Sequence, residues 1–438
     1  MEDELVDLSS FSEVSIEKEP GFFEKIKAKF SKKYLILASA LLLIILSAST
    51  IFVANSVRKK TPMSRASQDN SQTSALFLNP SPTPNPSLTP NTLKETIGFL
   101  PSWIVAQKAK VYPERLTQII YFGLGVTEDG ELIQFTAEGR ETNEWKYFNS
   151  EYFSQIRDEA VDNNTKVLIA IKSFDNETID KLTSNPFATD KLINSLLTLV
   201  ERYKLDGVNV DFEYVTDVDF PTAKYFNRFL ETLSLRLKQK NPNLILSVDV
   251  NATAVLVDKA YDMVKIGEIA DQVILMAYDY HRAASTRAGP VAPINSPPNE
   301  HNINESLNSL YGRVPTEKII LGIPFYGYEW QTLNKSHKSP TVENTGALAT
   351  YKRVRELIDN RNDEVVVWDD IAKSPWLTYT QSGAIKQIYY ENERSLEEKL
   401  KFAKERGLSG IAIWALGYEG DHQEPWEVIE KYFTPNPP

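Results

Sequence analysis

From Lys94 onward, short runs of β-branched and aromatic residues alternate with stretches whose apolar residues return every three or four positions. The first pattern predicts strands and the second amphipathic helices, and their regular alternation predicts a parallel α/β fold. The candidate strands are Thr96 to Leu100, Gln118 to Leu124, Lys166 to Ile171, Gly207 to Glu213, Leu244 to Val250, Gln272 to Tyr278, Lys318 to Pro324 and Gly410 to Ala415. Strands in βα order over about 340 residues predict a (β/α)8 TIM barrel. Between the seventh and eighth, residues from about 330 to 388 carry the β-rich Glu364 to Trp368 and Ile385 to Tyr390, which predicts a small α+β insertion.

One predicted strand differs from the rest. In Leu205-Asp206-Gly207-Val208-Asn209-Val210-Asp211-Phe212-Glu213, apolar residues alternate strictly with acids and an amide. At period two, Val208, Val210 and Phe212 face one way while Asn209, Asp211 and Glu213 face the other, with Asp206-Gly207 as the turn leading in. Helical patterns flank it on both sides, Ile193, Leu196, Leu197 and Val200 before, Phe226, Leu230, Leu233 and Leu237 after. Helices cover both faces of such a sheet, so a polar row belongs in a barrel interior or at a site at the strand's C-terminal end.

The stretch D-G-V-N-V-D-F-E resembles the D-G-x-D-x-D-x-E signature of glycoside hydrolase family 18, the chitinase-like TIM barrels. Other strand ends extend the resemblance over roughly residues 93 to 434. Gly98-Phe99-Leu100-Pro101-Ser102-Trp103 is similar to an opening G-Y-x-P-x-W, Met276-Ala277-Tyr278-Asp279 to M-x-Y-D, and Gly410 to Gly417 to G-x-x-x-W-x-L-G. Two departures stand out: Asn209 replaces the middle aspartate of the signature, and Lys172-Ser173 replace a glycine pair after the third strand.

Asp211 and Glu213 lie two residues apart on one strand, roughly 6 to 7 Å along it, and so approach a sugar from the same side. One can act as an acid, but the other is poorly placed for backside attack, so the nucleophile must come from elsewhere. The resemblance implies that it is the carbonyl oxygen of the substrate's own 2-acetamido group, and it distributes the roles. Glu213 would protonate the glycosidic oxygen, Asp211 would accept the acetamido N–H and stabilise the oxazolinium charge, and Tyr278 would donate to the acetamido carbonyl. Asn209, Met276, Asp279, Trp414 and Phe99 would complete the substrate site, with Trp414 as an apolar floor. Repulsion from the Asp211 carboxylate is expected to keep Glu213 protonated, and Asn209 is expected to donate a hydrogen bond to Asp211. Asp206 reads as a structural brace of the turn, and His281 as a rim residue. Glu213 weighs against the alternative of a non-catalytic, lectin-like barrel. The long strand and the Tyr390-Glu391-Asn392-Glu393 stretch look similar to members that act on bacterial cell-wall glycan, so peptidoglycan is preferred to chitin.

The N-terminal part changes the picture of where such an enzyme would work. Residues 1–33 form a short tail that becomes lysine-rich at Lys25, Lys27, Lys29, Lys32 and Lys33. Tyr34 to Ala54 carries no charge, and about 21 residues at helical rise span roughly 30 Å, the thickness of a bilayer's hydrocarbon core. One transmembrane helix is expected, preferred to a cleaved signal peptide for which Ser47-Ala48-Ser49 and Val53-Ala54-Asn55 offer small residues, with residues 55–92, rich in Ser, Thr and Pro, as a disordered tether and residues 93–438 as the catalytic domain outside the cytoplasm. The 59 acidic against 48 basic residues, a net charge of -11, argue against nucleic acid as a partner. With no cysteine and four scattered histidines, no metal or cofactor is expected.

Overall fold

The computed structural model describes residues 93–214, 221–257, 260–362 and 364–433. Eight parallel strands close into a barrel: β1 (Glu95–Pro101), β2 (Gln118–Gly125), β3 (Lys166–Ser173), β4 (Gly207–Phe212), β5 (Ile245–Asn251), β6 (Gln272–Met276), β7 (Ile319–Pro324) and β13 (Gly410–Trp414). Each pairs with the next in chain order, and β13 closes the ring between β7 and β1. The predicted sixth strand ends early, at Met276, and Asp279 just beyond takes a φ of 61°, a left-handed conformation that aspartate tolerates better than most residues.

The alternation read from the sequence divides two cores. Outward residues such as Val208, Val210 and Phe212 pack under the helices, among them Pro186–Tyr203 before β4 and Thr222–Lys240 after it. Ile97, Phe99, Ile120, Phe122, Leu168, Ala170, Ile245, Ile274, Ile320 and Ala412 form a separate cluster. Their period-two offset from the outward set places them inside the barrel, as filler beneath its C-terminal mouth. Close approach at β4 demands glycine, since a Cβ on Gly207 would stand 2.1 Å from the Ile245 carbonyl oxygen. Asp206 braces this entry: its Oδ2 accepts from the Val167 amide at 2.8 Å, and its own N–H donates to the Val167 carbonyl at 2.8 Å.

Between β7 and β13 the chain builds an antiparallel five-stranded sheet in the order β10-β11-β12-β8-β9, from β8 (Tyr326–Gln331), β9 (Ala347–Thr350), β10 (Val365–Asp369), β11 (Ser374–Gln381) and β12 (Ala384–Tyr389). The helix Tyr351–Asp359 buries Val354 with Ala349, Leu377, Tyr379, Ile388 and Tyr390. The sheet begins at Tyr326, directly after β7, a few residues before the expected insertion. The loop after β6 joins it: the Ala288 amide donates to the Ser339 carbonyl and the Ile294 amide to the Ala372 carbonyl.

Tyr390-Glu391-Asn392-Glu393 acts in this junction. Asn392 caps the helix Glu393–Glu405 in a reciprocal box with Ser395, and Glu391 pairs with Lys399 at 2.8 Å with both side chains at most 1% exposed. Glu393 accepts from the Tyr351 hydroxyl at 2.7 Å. The stretch that suggested a cell-wall substrate thus has a structural use. Among the described residues no helix is long and apolar enough to cross a membrane, and Tyr34 to Ala54 and the tether lie outside them.

Candidate active site

The carboxylates on the inner face of β4 emerge toward the C-terminal mouth in order of depth. Asn209 is fully buried, Asp211 is 3% exposed, and Glu213, one residue past the end of β4, is half-buried. The Glu213 amide donates to the Ser173 carbonyl at 2.9 Å, and the Tyr261 hydroxyl donates to the Phe212 carbonyl at 2.7 Å, so the backbone that carries Glu213 is held from both neighbours. The Asn251 amide nitrogen, at the end of β5, donates to Glu213 Oε2 at 3.3 Å.

Burial pushes the Glu213 carboxyl up from its ordinary 4.5; the Asn251 hydrogen bond opposes this, the Asp279 charge adds to it and Arg282 opposes it again. Desolvation leads at Glu213, and the repulsion expected between the two carboxyls falls on Asp211, which Glu213 raises. Asp211 itself is pushed well above the usual carboxylate range by burial, then by Asp249 and Glu213, with Lys172 pulling the other way. A group held protonated is fit to deliver a proton, and a carboxylate raised by its neighbours gains most when positive charge develops beside it.

Tyr278 and Asp279 follow β6 into the mouth. Gly322 on β7 makes room, since a Cβ there would lie 3.1 Å from the Tyr278 ring. Asp279 Oδ1 accepts from the hydroxyls of Tyr326, at 2.5 Å, and Tyr328, at 3.3 Å, both on β8. The insertion therefore reaches into the site. Met276, the last residue of β6, is partly exposed at the same level.

Trp414 ends β13 partly exposed, its ring 4.7 Å from that of Phe122, 5.6 Å from Phe99 and 6.4 Å from Trp103. This aromatic block gives the mouth an apolar floor. Phe99 is 2% exposed and backs Trp414 from within, so it does not line the cleft as expected. His281 sits in the loop after β6, its ring facing the Pro290 carbonyl at 3.0 Å.

Asn209 is also corrected. Its Nδ2 donates to Ser247 Oγ at 3.0 Å and to Asp249 Oδ1 at 2.8 Å, both on β5, and not to Asp211. Full burial removes it from substrate contact. Lys172 fills space that the glycine pair would leave open: Nζ lies 3.2 Å from Glu144 Oε1 and 4.9 Å from the Phe122 ring centroid. Sequence reasoning passed over Asp249, Asn251, Tyr326 and Tyr328. The inward alternation of Ser247, Asp249 and Asn251 on β5 was a usable signal; nothing local marks the two tyrosines.

Residues 95–419 match glycosyl hydrolases family 18. The glycosylase YdhD of Bacillus subtilis (strain 168) is 29% identical over 263 residues, covering 60% of this chain and 58% of that one. The cortical fragment-lytic enzyme of Bacillus anthracis is 24% identical over 360 residues, 78% of this chain and 75% of its own. The chain spans little more than half the length of some relatives it matches, 58% in one and 52% in another. The crystal structure of the Ostrinia furnacalis Group IV chitinase in complex with allosamidin superposes with a TM-score of 0.67 at 20% identity, over 77% of this chain and 98% of that one, a likeness of fold.

Proposed function

We propose that this chain, which belongs to glycosyl hydrolases family 18, hydrolyses β-linked N-acetylglucosamine-containing glycans with the substrate's acetamido group as nucleophile. The observation that carries the reading is the stacking of Asp211 and Glu213 on one strand, with Glu213 at the mouth, raised by burial, and Asp211 buried below it. Two carboxylates on one side of a sugar cannot perform acid attack and backside displacement together. Glu213 protonates the leaving oxygen and then activates water. Asp211 receives the acetamido N–H and balances the cyclic cation, while Tyr278 donates to the acetamido carbonyl and holds it in line. Met276 and Asp279 border the same subsite, and Trp414 lies under the sugar ring.

Among such glycans the reading favours peptidoglycan over chitin. It is supported by the likeness to a cortical fragment-lytic enzyme over 78% of the chain. The reading also includes a single-pass anchor at Tyr34 to Ala54 and a tether over residues 55–92 that hold the barrel outside the cytoplasmic membrane. Its support is the uncharged run itself.

Turnover of labelled chitooligosaccharides and of purified peptidoglycan by the full-length protein, measured side by side, tests the substrate. A thiazoline mimic of the cyclic intermediate is expected to inhibit competitively. Efficient cleavage of plain β-linked glucose oligomers would rule out acetamido participation. Retention of the full chain in membranes after alkaline washing is expected, and a soluble form starting near Asn55 would overturn the anchor.

A further inference from the structure

Strands β4 and β5 run parallel with Asn209 opposite Ser247 and Val210 opposite Val248. Continued toward the mouth, that register sets Asp211 level with Asp249 and Glu213 level with Asn251. The hydrogen bonds agree: Asn209 reaches Ser247 and Asp249, and Asn251 reaches Glu213. Two inner faces therefore meet, Asn-Asp-Glu on β4 and Ser-Asp-Asn on β5. Asp249 is 2% exposed, stands outside every motif named above, and among the described residues is held by the Asn209 amide. Asp211 Oδ1 is buried and finds no hydrogen-bond donor among the described residues.

Two adjacent carboxyls in a water-free interior cannot both ionise at moderate cost, because desolvation and mutual repulsion act in the same direction. The amide of Asn209 orients Asp249 Oδ1 toward β4 and adds no charge. A carboxyl at position 209, as the family signature has it, would crowd a third acid beside these two. The chain instead places the amide on β4 and the acid on β5.

We propose that Asp249 is a positioning residue for the reaction: held by the Asn209 amide, its carboxyl shares one proton with Asp211 and keeps that proton when Asp211 turns anionic against the substrate. The proton moves between two carboxyl oxygens and the charge of the pair stays at minus one. The inference rests on the glycosidase reading above. Burial, followed by Asp249, is what lifts Asp211, and Asp249 is lifted by burial and by Glu213 against the Asn209 bond. The other groups facing the pair are Lys172 from β3, Tyr261 from the segment after β5 and Tyr278 from the segment after β6. Lys172 is the one cation among them, so the site tolerates the single negative charge and resists a second.

The test uses the full-length protein and the variants Asp249→Asn, Asp211→Asn, Asn209→Asp and the double exchange Asn209→Asp with Asp249→Asn. Infrared difference spectra near neutral pH count protonated carboxyls without needing turnover. Asp211→Asn and Asp249→Asn are each expected to show one fewer than the unsubstituted protein, since removing either partner removes the shared proton. In kinetics, Asp249→Asn is expected to lower kcat/KM by about 10- to 100-fold. It should also move the acidic limb of the pH profile to higher pH, because the ionised Asp211 loses the neutral carboxyl that donates to it, while the basic limb stays because Glu213 keeps the same single negative neighbour. The double exchange, which returns the acid to β4, is expected to recover activity and the acidic limb beyond either single variant. An unchanged carboxyl count in Asp249→Asn would overturn the proposal. So would a loss of activity with an unmoved acidic limb, or a double exchange no better than the worse single. Absence of turnover in the unsubstituted protein, with the carboxyl count as expected, would overturn the glycosidase reading and leave the shared proton standing.

Discussion

Two of the places where the described residues bury ionisable side chains do so in opposite ways. At the junction of the inserted sheet with the barrel, Glu391 and Lys399 meet at 2.8 Å, both at most 1% exposed, opposite charges in direct contact. On the inner faces of β4 and β5, Asp211 and Asp249 are buried as deeply, but the groups beside them are Glu213 and further acids, with Lys172 at the edge. The first arrangement neutralises itself and can only hold the structure together. In the second, burial is uncompensated, so the proton stays mobile and the site can respond to a substrate that brings positive charge. Depth of burial does not separate an anchor from an active site. The sign of the nearest neighbours does.

The largest expected effect breaks the chemical side. Glu213→Gln keeps the shape and loses the proton, and is expected to lower kcat by about 10²-fold or more while leaving oligosaccharide binding intact. Turnover assays paired with a binding titration check this, and near-normal turnover would remove Glu213 from the acid role.

The anchor is broken next. Lys399→Met leaves Glu391 buried without its cation and is expected to destabilise the fold by about 3 to 5 kcal/mol, whereas Lys399→Met with Glu391→Leu is expected to recover most of that. Denaturant unfolding measures both. Specific activity of the folded fraction should stay unchanged, and a large loss of kcat in stably folded protein would mean that this pair serves the reaction.

A third buried carboxyl tests the rule between these extremes. Glu419 is 1% exposed, accepts from the Trp426 indole N–H at 3.1 Å, and is pushed by burial from 4.5 to about 7. Its folded form binds a proton that its unfolded form releases, so its contribution is fully present below about pH 4.5 and is lost as pH rises toward 7. Glu419→Gln is expected to flatten the fall of the unfolding midpoint over that window. An unchanged slope would show that other groups carry it.

The smallest effect sharpens the site itself. The Asn251 hydrogen bond favours ionised Glu213, so Asn251→Ala should raise the acid's pKa and shift the basic limb of kcat/KM to higher pH, by less than about one unit. A limb moving down would mean that Asn251 acts on the protonated form.

Much of this architecture could be read along the chain, for a physical reason. Strand and helix periods are properties of consecutive residues, so the eight barrel strands, two of the five strands of the inserted sheet and the inward row Asn209, Asp211, Glu213 appear in the sequence alone. The family resemblance added Tyr278, Asp279, Met276 and Trp414, which lie at or just past the ends of β6 and β13. What a side chain meets across the barrel is not a local property. Asn209 turns to Asp249 because parallel pairing sets β5 beside β4, and Phe99 lies behind Trp414 because β13 closes against β1. Asp279 is held by Tyr326 and Tyr328, almost fifty residues away, and Tyr390 to Glu393 leads into a helix cap where its likeness to cell-wall-acting members suggested a substrate mark. Which acids face the mouth was written in the order of residues on one strand. Which of them keep their protons was decided only when the neighbouring strands, with the loop after β6, shut out the water.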